Sequence, residues 1–166
     1  MANMEMPPVE ELVARFKKLY TGIVADAMDK LGMRDRLLPQ YLRPLKPDMV
    51  IAGPAFTGCG EDVTDINCND ILEQGFPVFV RFFHCGSSLG RWKITSYQQP
   101  IQIGHVTIEP GDFMMADIDG VLAVPKAHIM EVLTKAEEMA AREDNMSKDM
   151  AEGLGVRGAY AKYGTI

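Results

Sequence analysis

Three carboxylates crowd the stretch Gly58–Asn69 (GCGEDVTDINCN): Glu61, Asp62 and Asp65. They follow Val50–Thr57 (VIAGPAFT), which reads as a strand with a bend at Gly53-Pro54. Carboxylates beside glycines at the C-terminal end of a strand form a hard-oxygen donor set of the kind that takes Mg²⁺. The same acids need no metal if residues 62–73 form a short helix, because negative charge in a first turn complements the helix dipole. Both readings stand on spacing alone. The other chemistry-bearing residues are scattered. His84, His105 and His128 have no ligand-like spacing, and no G-x-S-x-G, P-loop, dinucleotide-binding fingerprint or H-E-x-x-H is present. Arg91 lies in His84–Trp92 (HCGSSLGRW), a loop whose Gly86 and Gly90 permit close approach of a backbone or ligand.

The elements that must position these residues are legible from periodicity. Val9, Leu12, Val13, Phe16, Leu19 and Tyr20 fall at the 3,4 spacing of an amphipathic helix. Thr21 is a plausible N-cap for a second helix, Gly22–Leu31, with Gly32 as its stop and Asp26 and Lys30 as an i,i+4 pair. Arg34–Asp48, with three prolines, predicts an extended connection. Phe76–Phe83 (FPVFVRFF) is the most strand-like run of all. Ile101–Ile103 and Val106–Ile108 around Gly104 predict a hairpin or a strand–bulge–strand. Glu109–Pro125 (EPGDFMMADIDGVLAVP) predicts two short buried strands, punctuated by the turns at Pro110-Gly111 and Asp117–Gly120. Asp117 and Asp119 read as turn-makers. Lys126–Gly153 predicts a long helix whose polar far end stands off the body, followed by a tail that docks on a neighbour or frays.

Composition bounds the function. The 166 residues suit one domain, 1–166, with 47% apolar and 24% charged residues. The formal charge of −6 comes without blocks of like charge, so a nucleic-acid surface is not expected. No apolar run reaches the roughly 20 residues of a membrane span, and the leader MANMEMPPVEE lacks signal-peptide features. Three cysteines without a C-x-x-C pair fit a reducing, cytoplasmic setting.

Four segments in order, TGIVADAMDKLG, IAGPAFT, GFPVFVRFF and PIQIGHVTIEPGDFMMADIDGVLAVP, resemble the RraA-like family. That family includes metal-dependent 4-hydroxy-4-methyl-2-oxoglutarate aldolases and proteins named regulator of ribonuclease activity A. The resemblance implies an α/β fold, an α/β/α swivelling-domain sandwich, assembled as homotrimers or hexamers with sites between subunits. It also implies a small 2-oxo acid substrate, pyruvate release and a divalent metal, Mg²⁺ or Mn²⁺. In the family a G-x-x-R-D motif supplies an arginine that holds substrate and an aspartate that anchors the metal. The matching residues are Gly58-Cys59-Gly60-Glu61-Asp62. Asp62 therefore stands at the metal position, Gly58 and Gly60 at a substrate-facing backbone, and Glu61 where arginine belongs. Arg91 is then a candidate for the missing cation, against the plainer reading of a loop arginine paired at the surface. Thr57 also runs straight into Gly58, where the family places several dozen residues, so the sandwich is expected to be shortened. A natural internal deletion, a gene lacking a segment and an engineered shortening all fit that junction. A non-catalytic regulatory or binding protein is the alternative to the lyase.

Overall fold

A computed structural model describes residues 6–61, 73, 75, 77–82 and 93–164, and the strongest periodic segments become its helices. These are α1 (Val9–Phe16), α2 (Thr21–Lys30), α3 (Ile129–Ala151) and α4 (Val156–Tyr163). In chain order the strands are β1 (Arg43–Pro44), β2 (Ile51–Pro54), β3 (Gly58–Glu61), β4 (Phe79–Val80), β5 (Lys93–Tyr97), β6 (Ile101–Ile103), β7 (Val106–Ile108), β8 (Phe113–Ala116) and β9 (Val121–Val124).

The sheet β2-β8-β9 is antiparallel, with Ile51 opposite Ala116 and Phe113 opposite Val124. Its period-2 alternation sends Phe113, Met115, Leu122 and Val124 to one face, where they pack with Leu12, Phe16, Ile23, Val24, Ala27 and Met28 and with Ile129, Val132, Leu133 and Ala136 of α3. The rings of Phe16 and Phe113 stack with centroids 4.3 Å apart. Met114, Val121 and Ala123 face the other way, onto Val106, Ile108, Ile101 and Ile103 of the β6–β7 hairpin. Helices thus cover one face of the sheet and a hairpin the other, among the described residues. The mixture of helices and sheet is the expected α/β class.

Helix ends follow backbone chemistry. Gly32 (φ +82°) ends α2, and Gly153 (φ +105°) follows α3, in a left-handed region that residues with a Cβ rarely adopt. A bidentate pair from Arg15 to Glu137 (2.8 and 2.7 Å) ties α1 to α3; the hydrogen bond from Arg15 holds the Glu137 carboxyl below its ordinary range.

Several sequence expectations need correction. Phe76–Phe83 contributes only the two-residue strand β4 among its described residues, because its partner β1 is itself two residues long and ends in Pro44. The polar stretch after Thr57 is strand through Glu61. Asp26 and Lys30 form no ion pair; both instead line a small cleft with Met139, Arg142, Glu143 and Tyr163. The far end of α3 does not stand alone, because α4 folds back along it with Ala159 fully buried. Arg142 donates to the Tyr163 carbonyl (2.6 Å), and Asp149 accepts from Lys162 and the Tyr163 hydroxyl.

Candidate functional site

Gly58, Cys59, Gly60 and Glu61 form β3, paired antiparallel with β5 and interrupted by a bulge between Cys59 and Gly60. The ladder begins at Thr57, which is buried. Its Oγ1 donates to the Gln99 carbonyl at 2.6 Å, and its own carbonyl accepts from the Gln98 amide at 2.8 Å. Gln98, at φ +51°, makes the sharp return after β5. Thr95 Oγ1 donates to the Cys59 carbonyl at 3.2 Å. Two glycines in such a short strand weaken its packing, and a Cβ on Gly58 would meet nothing nearer than the Ser96 carbonyl at 4.0 Å. Space therefore does not demand glycine at 58. What glycine provides there is bare backbone, beside an apolar groove of about 390 Å³ lined by Ile51, Pro54, Phe56, Ile101 and Met114.

Glu61 closes β3 directly opposite Lys93 in register. Asp62, Asp65, Arg91 and His84, and all but Glu73 of the helix expected over 62–73, lie outside the described residues. Of the remaining histidines, His128 contacts Glu131 at 2.9 Å, and exposed His105 follows Gly104 in the β6–β7 turn. Among the described residues no three His, Cys, Asp or Glu side chains gather into a metal-donor set. The described groups alone therefore do not make a metal centre, and no reaction step is derived through a metal.

Two aspartates do more than spacing foretold. Asp117 closes its own turn, accepting from the Asp119 amide (2.9 Å) while its amide donates to the Gly120 carbonyl (3.0 Å). Its carboxylate also receives the Thr21 amide (2.7 Å) and the Thr21 hydroxyl (2.6 Å), so it caps α2 from across the molecule. Thr21 is consequently the first helical residue rather than the cap. Buried Asp112 accepts from the amides of Glu109 (3.1 Å) and Lys126 (2.9 Å), joining the β7–β8 turn to the segment leading into α3. An acid directly after Pro-Gly in an apolar context was the available signal for Asp112. Nothing local could have revealed the Asp117 cap.

The described geometry is that of an α/β protein built on the antiparallel β2-β8-β9 sheet. Comparison with known proteins agrees: an RraA-like family model (Aldolase/RraA) matches residues 65–123, beginning just past Asp62. Over those residues the chain is RraA-like. It is 30% identical over 113 residues, 68% of this chain, to protein DlpA of Legionella pneumophila, and that match spans 18% of DlpA. It is 29% identical over 124 residues to a Halalkalibacterium halodurans protein provisionally named 4-hydroxy-4-methyl-2-oxoglutarate aldolase, spanning 57% of it. The matches thus span well under two thirds of these curated relatives.

A crystal structure described as one of novel cellulases from gut-associated microbes superposes with TM-score 0.78 at 29% identity, covering 87% of this chain and 91% of that one. Streptomyces coelicolor RraAS2, described as an unusual member of the RNase ES inhibitor RraA family, superposes with TM-score 0.70 at 17% identity, covering 86% and 100%, which speaks to fold alone. Coverage is high in both directions, so the solved chains are of comparable length to this one. Among the described residues no helix is long and apolar enough to cross a membrane.

Proposed function

We propose that this chain is a C–C lyase of the 4-hydroxy-2-oxo-acid type, releasing pyruvate with Mg²⁺ or Mn²⁺, and that its turnover is strongly reduced by Glu61. The observation that carries this reading is the likeness to the protein provisionally named 4-hydroxy-4-methyl-2-oxoglutarate aldolase, over 71% of this chain. A divalent metal, when bound, would supply Lewis-acid polarisation of the substrate's 2-oxo group. The chain's own contribution would be Asp62 as metal anchor and the glycine backbone of β3 as a substrate-facing edge. An arginine at position 61 would offer two parallel charge-assisted hydrogen bonds to a substrate carboxylate; glutamate repels it. A unit charge about 4 Å away is worth about 4 kcal/mol at an effective dielectric near 20, so the reversal removes several orders of magnitude in rate. Arg91 would be the compensating cation, and the assembly a homotrimer or hexamer.

The test is pyruvate release from 4-hydroxy-4-methyl-2-oxoglutarate or oxaloacetate with Mg²⁺ or Mn²⁺. Weak metal-dependent turnover that rises at least tenfold in Glu61→Arg and falls in Asp62→Asn supports the lyase. No metal-dependent pyruvate from either the natural chain or Glu61→Arg would sink it. One specific observation favours a second reading, a non-catalytic RraA-like protein that acts by binding: the chain passes from Thr57 directly into β3. Capture of a defined partner by the intact protein, undiminished in Asp62→Asn, would support it.

A further inference from the structure

On the side of the molecule where β7 meets the segment leading into α3, Arg36, Thr107, Glu109, Asp112, Pro125 and Lys126 line a cleft of about 620 Å³, within the size range of small-molecule sites. Its two cations are held by backbone. Arg36 is half-buried, and its main chain is fixed along β9: its carbonyl accepts from the Ala123 amide (3.1 Å), while Leu37 bridges to Leu122. Its Nη1 donates to the Thr107 carbonyl at 3.2 Å, which steers the guanidinium. The Lys126 amide is tied to buried Asp112 at 2.9 Å, and the Lys126 stem lies over Gly111, where a Cβ would come within 3.3 Å of Cδ. Gly111 (φ +90°) is left bare by its turn, so the lysine has a fixed bed.

Neither cation has a carboxylate partner within 4 Å among the described residues. The contrast with Arg15 is direct: that half-buried arginine is bidentate on Glu137, whereas among the described residues Arg36 has a carbonyl at one nitrogen and no partner on the rest of its fork. Of the two acids in the cleft, Asp112 already has both oxygens engaged by amides, and exposed Glu109 is the one opposing charge.

We propose that this cleft is an anion site, separate from the β3 motif, in which Arg36 takes a carboxylate or phosphate group through its remaining N–H donors and Lys126 adds a point charge. Glu109 would limit the affinity and favour small ligands. The site needs no metal and does not rest on lyase activity.

The experiment is calorimetric titration of the full chain in EDTA, near pH 7 and at low salt, with inorganic phosphate and separately with malonate. Saturable binding of at least one probe is expected. It should weaken about tenfold in Arg36→Gln, which loses charge-assisted hydrogen bonds, and less in Lys126→Gln. It should tighten in Glu109→Gln and stay unchanged in Lys17→Gln. A preference for phosphate would assign the site to phosphorylated ligands, and a preference for malonate to carboxylates. No saturable binding of either probe, or equal affinity in Arg36→Gln, would overturn the proposal. Should Arg36→Gln fail to fold by circular dichroism, the Lys126 and Glu109 variants decide, and changes opposite to those stated would overturn it.

Discussion

The helix-covered face of the β2-β8-β9 sheet and the β3–β5 ladder use the same kinds of residue to opposite ends. On the sheet, Phe113, Met115, Leu122 and Val124 are each no more than 1% exposed and interlock with three helices. On the ladder, Ile94 and Tyr97 are 52% and 67% exposed, neighbouring Phe56 is 73% exposed, and Cys59 is an exposed free thiol. Apolar side chains that stabilise one region are left against solvent in the other. The family-like segments 21–30 and 113–124 are therefore anchored by burial, whereas residues 58–61 are held mainly by backbone hydrogen bonds and by Thr57. A protein can keep its family's frame while its candidate site drifts, because the frame does not depend on the site for stability.

Substitutions at four positions measure that separation. Phe113→Ala removes the ring stacked on Phe16 and should cost about 3–5 kcal/mol in urea unfolding; a cost below about 1 kcal/mol would mean that the face is not packed as described. Asp117→Ala deletes the cap of α2 and should cost about 1–2 kcal/mol, with Asp117→Asn recovering part of it. The Arg15–Glu137 pair is partly solvent-screened, so Glu137→Gln should cost only about 1 kcal/mol. Because folding lowers the Glu137 pKa, the unfolded chain binds its proton more readily. The pair's contribution is then complete above the ordinary value of 4.5 and is lost as pH falls below it, and the variant should flatten the acid limb of the stability profile. Smallest of all, Tyr97→Ser on the exposed ladder should shift stability by no more than about 0.5 kcal/mol. A loss there comparable to Phe113→Ala would erase the distinction between the two regions.

What could be read in advance divides along the same line. The helices of residues 9–16, 21–30 and 129–151, the hairpin around Gly104 and the paired strands 113–116 and 121–124 follow from 3,4 or alternating apolar spacing and glycine stops. Such signals are local and reinforced by burial. Phe76–Phe83 misled because strand propensity reports what fits a pleated surface, not whether a partner strand is available. Residues 58–61 were hidden for the converse reason: Gly-Cys-Gly-Glu has little propensity of its own and becomes a strand by pairing with 93–97. The tail 156–163 looked detachable, since its hold on α3 comes from polar contacts to Arg142 and Asp149 that no periodicity announces. For the site, Gly58 to Glu61 could be aligned with a motif, but Arg36 meets Lys126 only because it is held by Ala123 and Thr107, far along the chain.

The carboxylate of Asp117 holds a further implication, for the order in which the molecule can be made. The helix it caps is synthesised 96 residues earlier, and no side chain of its own satisfies its N-terminus. During vectorial synthesis, then, residues 21–30 emerge without the partner that fixes their start and without the strands that bury their apolar side. We predict that nascent chains halted before Asp117 leaves the ribosome expose this segment to protease, and that protection arrives in one step once residues 113–124 are free to pair. Gradual protection beginning with the first helices would show that the N-terminal segment organises itself, and that the late aspartate only finishes it.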